Sequence, residues 1–238
     1  MAETNEYREQ RIASMKALQD LGFEPYGYKY DHDDLKKVRA EFEEGKTVRI
    51  AGRLLMIRRM GKMNFCTMND GTDKFQVIFK RDELSETMFA GFKQLNLGDI
   101  IGAEGTLFTT QKGEKSLVVK EWALLAKALE QPPEKFHGLA DQEECYRRRY
   151  VDLMTNDASR ERFFTRSRLL MEIRKYLWGK GFVEVETPIL QDQAGGAAAK
   201  PFFSHFNALD KDCVMRIAPE LYLKRLLVGG MNKVFELG

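Results

Sequence analysis

Between Thr47 and about Ala128 the chain falls into five short apolar-rich runs separated by glycine-bearing turns, and this punctuation constrains the fold more than any other feature. The runs are VRIAGRLLMIRR, KMNFCTMND, DKFQVIFK, GDIIGAEGTLFTT and KSLVVKEWALLAKAL, and a helical stretch, ELSETMFAGFKQL, lies between the third and the fourth. Runs of this length, rich in β-branched and aromatic residues and bounded by Gly, Asn and Asp, read as strands. A strand sends alternate side chains to opposite faces, so the pattern also predicts orientation. In the second run Cys66 and Met68 point inward and Phe65 and Thr67 outward. In the third, Phe75, Val77 and Phe79 form the inward set and Gln76, Ile78 and Lys80 the outward one.

Five strands with a helix after the third is the order of the OB barrel, whose strands 2 and 3 and loops L12 and L45 bind oligonucleotides. An outward phenylalanine beside an amide suits unstacked bases, because the ring stacks and the amide pairs with a base edge. Phe65 and Gln76 are therefore candidates, with Arg53, Arg58, Arg59 and Lys62 around the loop between strands 1 and 2 as phosphate contacts. Glu114, in the TTQKGEKS loop between strands 4 and 5, adds a carboxylate acceptor. A solvated basic loop and one outward aromatic look the same in a protein that binds no RNA, so the residues alone leave both readings open.

Helical spacing of Ile12, Met15, Leu18 and Leu21, with Gly22 as a stop, predicts a helix from about Glu6 to Leu21, and a second short one spans Leu35 to Glu44 before Gly45. Gln131-Pro132-Pro133 breaks the chain, and a connector containing the basic run Tyr146 to Tyr150 leads to a helix from about Ser159 to Lys180. Val183, Val185, Thr187 and Ile189 alternate with Glu184 and Glu186 as in a half-exposed strand. Beyond a Gly195-Gly196 turn, Pro219 and Glu220 open a helix, Gly229-Gly230 closes it, and Val234 to Leu237 begin an apolar strand with no turn, partner or cap behind it.

With 38 Lys and Arg against 36 Asp and Glu the net charge is +2, so any nucleic-acid site has to be a local patch. Cys66, Cys145 and Cys213 lie far apart, without the close pairs of a zinc site, and read as reduced thiols of a cytosolic protein. The opening MAETNEYREQR is charged and no apolar run reaches membrane-spanning length, so a soluble cytoplasmic protein without a metal site in this stretch is expected.

GFVEVETPIL (Gly181 to Leu190), AGGAAAKPF (Ala194 to Phe202) and RIAPELYLKRLLVGGMNKVFELG (Arg216 to Gly238) resemble the class II aminoacyl-tRNA synthetases, and among them the bacterial lysyl group, over essentially the whole chain. The resemblance implies an α+β protein: an N-terminal helix and five-stranded OB-fold anticodon domain at 1–130, a linker at 131–158, and at 159–238 the start of an antiparallel-sheet catalytic domain, from motif 1 to the first strand of motif 2. It implies that Phe65, Gln76 and Glu114 read the central uridine of the anticodon, with Arg58 and Arg59 beside them. The backbone at Gly196 and the carboxylate of Glu220 would meet the lysine α-amino group, and the motif 1 element carrying Pro188 would build a homodimer interface. The partners implied are tRNA(Lys) and L-lysine, with ATP as substrate and Mg2+ held by residues past Gly238. The motif 2 arginine is also expected just past Gly238, so the chain reads as an amino-terminal portion truncated within motif 2. No complete catalytic set is expected in it, and alone it is expected to be inactive. Two other readings stand beside this one: a non-catalytic RNA-binding module, and an aspartyl or asparaginyl relative. Glu220 in APELYLK, where the aspartyl group usually has glutamine, favours the lysyl group.

Overall fold

The computed structural model describes residues 2–27, 29–133, 139 and 141–238. The chain divides into two compact units, 1–139 and 140–238. The first is built on β1 (Thr47–Met60), β2 (Met63–Asn69), β3 (Lys74–Lys80), β4 (Ile100–Thr109) and β5 (Lys115–Ala126), closed into a barrel in the order β1-β2-β3-β5-β4. Closure rests on the length of β1, whose first half pairs with β4 and whose second half pairs with β2. A bulge between Leu54 and Met56 lets the strand turn the corner between its two partners. The ring is completed by a parallel pairing of β3 with β5, Gln76 opposite Ser116 and Ile78 opposite Val118. At Gly105 a Cβ would meet the Val118 carbonyl oxygen at 2.0 Å, so only glycine lets β4 approach β5 there.

The inward residues predicted from period 2 are buried: Cys66, Met68, Phe75, Val77 and Phe79 join Leu54, Ile101, Leu107, Leu117 and Val119 in one core. Ile78 is a correction, since it points outward yet is only 1% exposed. On the outer face it lies between Phe65 and Val118, and the ladder neighbours close over it. The helix α3 (Glu86–Lys93) plugs one end of the barrel, Phe92 stacking on Phe79 with centroids 4.4 Å apart. α1 (Ala2–Asp20) lies against the barrel through Leu18, which is fully buried. α2 spans Leu35–Ala40, shorter than expected, because Glu41 ends it and the Gly45 N–H bonds to the Leu107 carbonyl at the entry to β1. The three cysteines are free, and burial pushes the Cys66 thiol up to about 12.

In the second unit, α4 (Gln142–Arg147) and α5 (Arg149–Thr155) occupy the stretch read as connector and pack ahead of α6 (Asp157–Gly179). Asn156, just before Asp157, caps α6 by accepting from the N–H groups of Ala158 and Ser159. The expected strand from Val183 to Ile189 is much shorter: β6 is only Val183–Glu184 and β7 is Leu190–Gln191. The alternation fails where Thr187 turns inward, its hydroxyl bonded to Glu236 and Arg216, and where Pro188 offers no N–H to a ladder. β7 joins β9 (Lys211–Met215) and β8 (Phe203–Phe206) in an antiparallel sheet ordered β7-β9-β8. The last strand, β10 (Val234–Phe235), does have a partner, contrary to expectation: it pairs in parallel with β6 after α7 (Glu220–Val228).

Two carboxylates hold the first unit together. Asp99 and Lys127 are fully buried, the ammonium 2.7 Å from one carboxylate oxygen, and Asp99 also accepts from the N–H groups of Asn96 and Ala128. Removing one partner strands a buried charge, so Asp99→Ala should cost about 3–5 kcal/mol in urea unfolding of the chain. Asp70, in the turn after β2, accepts from Leu35 N–H at 2.8 Å, from Thr72 and Asp73 N–H, and from the Thr72 hydroxyl, and so ties α2 to the barrel. Burial pushes its carboxyl up, but these bonds outweigh it and hold the pKa below the ordinary value. A carboxyl depressed in the folded state stabilises above its unfolded value, about 3.9, and that contribution is lost as pH falls through the folded value. The stability gap between wild type and Asp70→Asn, followed by urea midpoints, should be constant near neutrality and shrink below about pH 4.

Candidate functional sites

On the outer face of the barrel, Arg58 stands opposite Phe65, Phe65 opposite Ile78, and Ile78 opposite Val118, in one row across β1, β2, β3 and β5. The neighbouring row runs Met56, Thr67, Gln76, Ser116 and Phe108. Phe65 and Gln76 are thus diagonal neighbours on adjacent strands, both half-buried and both turned outward. Ile78 and Val118 form an apolar floor beside them, and Lys80 reaches across it to within 5.5 Å of the Phe108 ring centroid. The Phe108 ring is 38% exposed and adds a second aromatic surface that the sequence reading missed. Its place next to inward Leu107 in the alternation of β4 was the available signal.

Glu114 is exposed, but its backbone is fixed. Thr110 N–H bonds to the Glu114 carbonyl and Glu114 N–H to the Thr110 hydroxyl, both at 3.0 Å, while Gly113 takes φ +79° to close the turn. Gln76 Nε2 donates to Ser116 Oγ at 2.8 Å, and Ser116 Oγ donates to the Glu114 carbonyl at 3.1 Å. Phe65, Gln76 and the L45 loop are therefore brought onto one surface, the last two through a buried hydroxyl.

The four cations assigned to phosphate do not share a role. Arg58 is exposed beside Phe65 and makes no hydrogen bond or ion pair among the described residues, and Lys62 is exposed in the hairpin turn. Arg59 faces the other way, donates to the carbonyls of Lys93 and Leu95 at the end of α3, and lies over the Phe92 ring. Arg53 donates to the Gly98 carbonyl at 2.8 Å, and burial lowers its pKa against the nearby Asp99. Arg59, though exposed, and half-buried Arg53 thus spend donors on the barrel's own carbonyls. If the face binds RNA, Arg58→Ala should lower the salt dependence of binding by about one unit of log–log slope, and Arg59→Ala should leave that slope unchanged while lowering the melting temperature.

The second unit brings together two loops from different parts of the chain. Gly196 has φ +86°, and a Cβ on it would lie 3.4 Å from Ala218 Cβ and 3.5 Å from Glu220 Cβ. A Cβ on Gly195 would overlap Leu221 at 2.6 Å, so both glycines seat their loop against the start of α7. Pro219 is the N-cap of α7 and Glu220 its first residue. The Glu220 carboxylate is half exposed and pairs with Lys224 one turn on, at 2.6 Å. Such an exposed i,i+4 pair holds by only about 0.3–0.5 kcal/mol, so a ligand cation can take the place of Lys224. Arg216 is tied to Glu236 at 2.6 Å and to Thr187, with Glu236 held below its ordinary pKa where these bonds outweigh its desolvation. Pro188 is exposed, and so are Phe164, Leu169, Tyr176 and Trp178 of α6. Among the described residues no three His, Cys, Asp or Glu side chains gather as cation ligands. No described helix is long and apolar enough to cross a membrane.

Two family profiles match successive parts of the chain: an OB-fold nucleic acid binding domain over residues 48–125, and tRNA synthetases class II (D, K and N) over residues 141–238. The chain carries a class II tRNA synthetase domain behind an OB-fold domain. It is 45% identical to a lysine–tRNA ligase of Syntrophomonas wolfei over 98% of its own length and 48% of that protein. It is 47% identical to the lysine–tRNA ligase of Carboxydothermus hydrogenoformans over 99% of its length and 49% of that protein. The lysine–tRNA ligase of Idiomarina loihiensis shares 48% identity over 99% of the chain and 49% of its own length. The chain thus spans about half the length of the curated relatives it matches. The barrel that the first profile covers is the one that carries Phe65 and Gln76, and the second profile covers Gly196 and Glu220.

Proposed function

We propose that this chain is part of a lysine–tRNA ligase, in which the barrel reads the anticodon of tRNA(Lys) and the second unit supplies part of the lysine site. The observation that carries this reading is the succession of an OB-fold profile and a class II synthetase profile in a chain whose relatives at 44–48% identity are named lysine–tRNA ligase. In the reaction, lysine's carboxylate oxygen attacks the α-phosphorus of ATP, pyrophosphate leaves, and the terminal adenosine of the tRNA then takes the lysyl group as AMP leaves. The residues present serve the amino acid's other end. Glu220 accepts charge-assisted bonds from the α-ammonium, the N-terminal end of α7 favours the carboxylate there, and Gly196 brings backbone within reach. Phe65, Gln76 and Glu114 read the central uridine, with Arg58 on the backbone beside it. The motif 1 element around Pro188 and the apolar side chains of α6 are covered in a homodimer, and the protein works in the cytoplasm. ATP and Mg2+ are bound by residues beyond this stretch.

The 238 residues alone should show no lysine-dependent ATP–pyrophosphate exchange, while a protein of the relatives' length should show it. In that longer protein Glu220→Ala should slow exchange by roughly 10- to 150-fold, the loss of a hydrogen bond to a charged group worth about 1.5–3 kcal/mol. Robust exchange by the short chain, or unchanged kinetics in the variant, would overturn these assignments in turn.

A further inference from the structure

We propose that Ser116 is a positioning residue for base recognition: its buried hydroxyl locks the Gln76 carboxamide in the one orientation that accepts an imino N–H, so that this face selects uracil over cytosine. The proposal rests on the base-reading role given above to the Phe65–Gln76 face.

Ser116 is fully buried and sits opposite Gln76 in the parallel β3–β5 ladder. A serine hydroxyl has one hydrogen to give. Here it goes to the Glu114 carbonyl at 3.1 Å, inside a loop already closed by the Thr110–Glu114 bonds. Toward Gln76 the same oxygen is left only as an acceptor, so the side of the carboxamide that meets it, at 2.8 Å, has to be the amide nitrogen. Flipping the amide would set Oε1 against the lone pairs of Ser116, or would pull the hydroxyl hydrogen away from Glu114. One N–H of Gln76 is therefore taken up internally, and Oε1 with the second N–H remain as an acceptor and a donor side by side.

That pair complements a ring N–H flanked by a carbonyl, as in the N3–H and O4 of uracil. Cytosine in the same place presents a bare N3 to Oε1, two acceptors facing each other, and an amino group to the N–H. A carboxamide free to rotate answers either base by exchanging its oxygen and nitrogen. A carboxamide held by Ser116 does not. The device differs from the roles of Phe65, which supplies stacking area to any base, and of Arg58, whose charge acts on any phosphate.

The test uses the 238-residue chain and two anticodon stem-loop RNAs that differ only by U or C at the central anticodon position, titrated at one salt concentration. Ser116→Ala should lower the U-to-C affinity ratio roughly five-fold, the value of one ordinary hydrogen bond, with the cytosine RNA losing less than the uracil RNA. The salt slope should not change, since no charge is removed. If the alanine variant does not fold, Ser116→Cys keeps nearly the same volume with a far weaker acceptor and is read in the same way. A ratio unchanged in the folded variant, while Gln76→Ala abolishes it, overturns the role of Ser116 and leaves the base-reading face standing. A wild-type chain with no preference, or a preference untouched by Gln76→Ala, overturns the face itself and the proposal with it.

Discussion

The buried contact between Asp99 and Lys127 fixes how the start of β4 meets the end of β5, and the rest of the first unit is hung from that point. Lys127 follows the end of β5 and Asp99 precedes β4, so the pair clamps two strands that are neighbours in the ring. Burial lowers the Lys127 pKa and Asp99 opposes the shift, which shows both terms of the balance at one site. Every hydrogen-bonding direction is used: the ammonium meets Asp99 and Asn96, and the carboxylate also takes two backbone N–H groups. Arg11 of α1 extends the network by donating to the Leu97 and Ala128 carbonyls at 2.9 and 3.0 Å. A buried pair of this kind contributes little net stability compared with apolar residues of the same shape, but it tolerates only one arrangement of its neighbours. That intolerance sets the register in which β4, β5 and α1 meet.

The same physics separates the structural arginines from the chemical one. Arg53, Arg58 and Arg59 lie on one strand and look alike in sequence. Two of them find backbone carbonyls at helix and loop ends, where an unpaired C=O is costly and a guanidinium satisfies it. Arg58 points to the side where the neighbours are Phe65 and an apolar floor, and its charge stays available. In the second unit the contrast recurs between Arg216, held by Glu236 and Thr187, and Glu220, whose one ion-pair partner among the described residues is an exposed lysine one turn away.

Much of the first unit was legible because a small barrel leaves little choice. Glycine-bounded runs marked the strands, and period 2 placed Cys66, Met68, Phe75, Val77 and Phe79 inside with Phe65 and Gln76 outside. What escaped depends on contacts far apart in sequence. Ile78 reads as exposed by alternation, yet it is covered because Phe65 and Val118 flank it from strands that only the closed ring brings together. Nothing in the sequence marks Asp99 and Lys127 as charges that will be buried and paired. In the second unit Val183 to Ile189 alternates well enough to suggest one long strand, but the inward turn of Thr187 toward Glu236, 49 residues on, breaks it. β10 seemed unpaired because its parallel partner β6 lies on the far side of α7 and a whole antiparallel sheet. Gly196 and Glu220 were named only by resemblance, and their contact across the loop and α7 is a fact of the fold that spacing alone does not supply.

The outer face of the barrel has few free charges, and this bears on how it discriminates. A molecule of net charge +2 that relied on phosphate attraction would need a dense local patch, whereas here Arg53 and Arg59 donate to backbone carbonyls, Arg58 stands on β1, and Lys62 and Lys112 lie in two separate loops. Phosphate contacts add affinity without sequence information, and their effect falls away with salt. A site with few of them must draw a larger share of its binding from stacking and from base-edge hydrogen bonds. Under the proposed function those terms would come from Phe65, Phe108 and the amide of Gln76, all placed by strands whose register is fixed by a closed ring. A rigid, weakly charged platform loses affinity for RNA in general but holds its neutral donors and acceptors in place, and the second property is what separates one base from another.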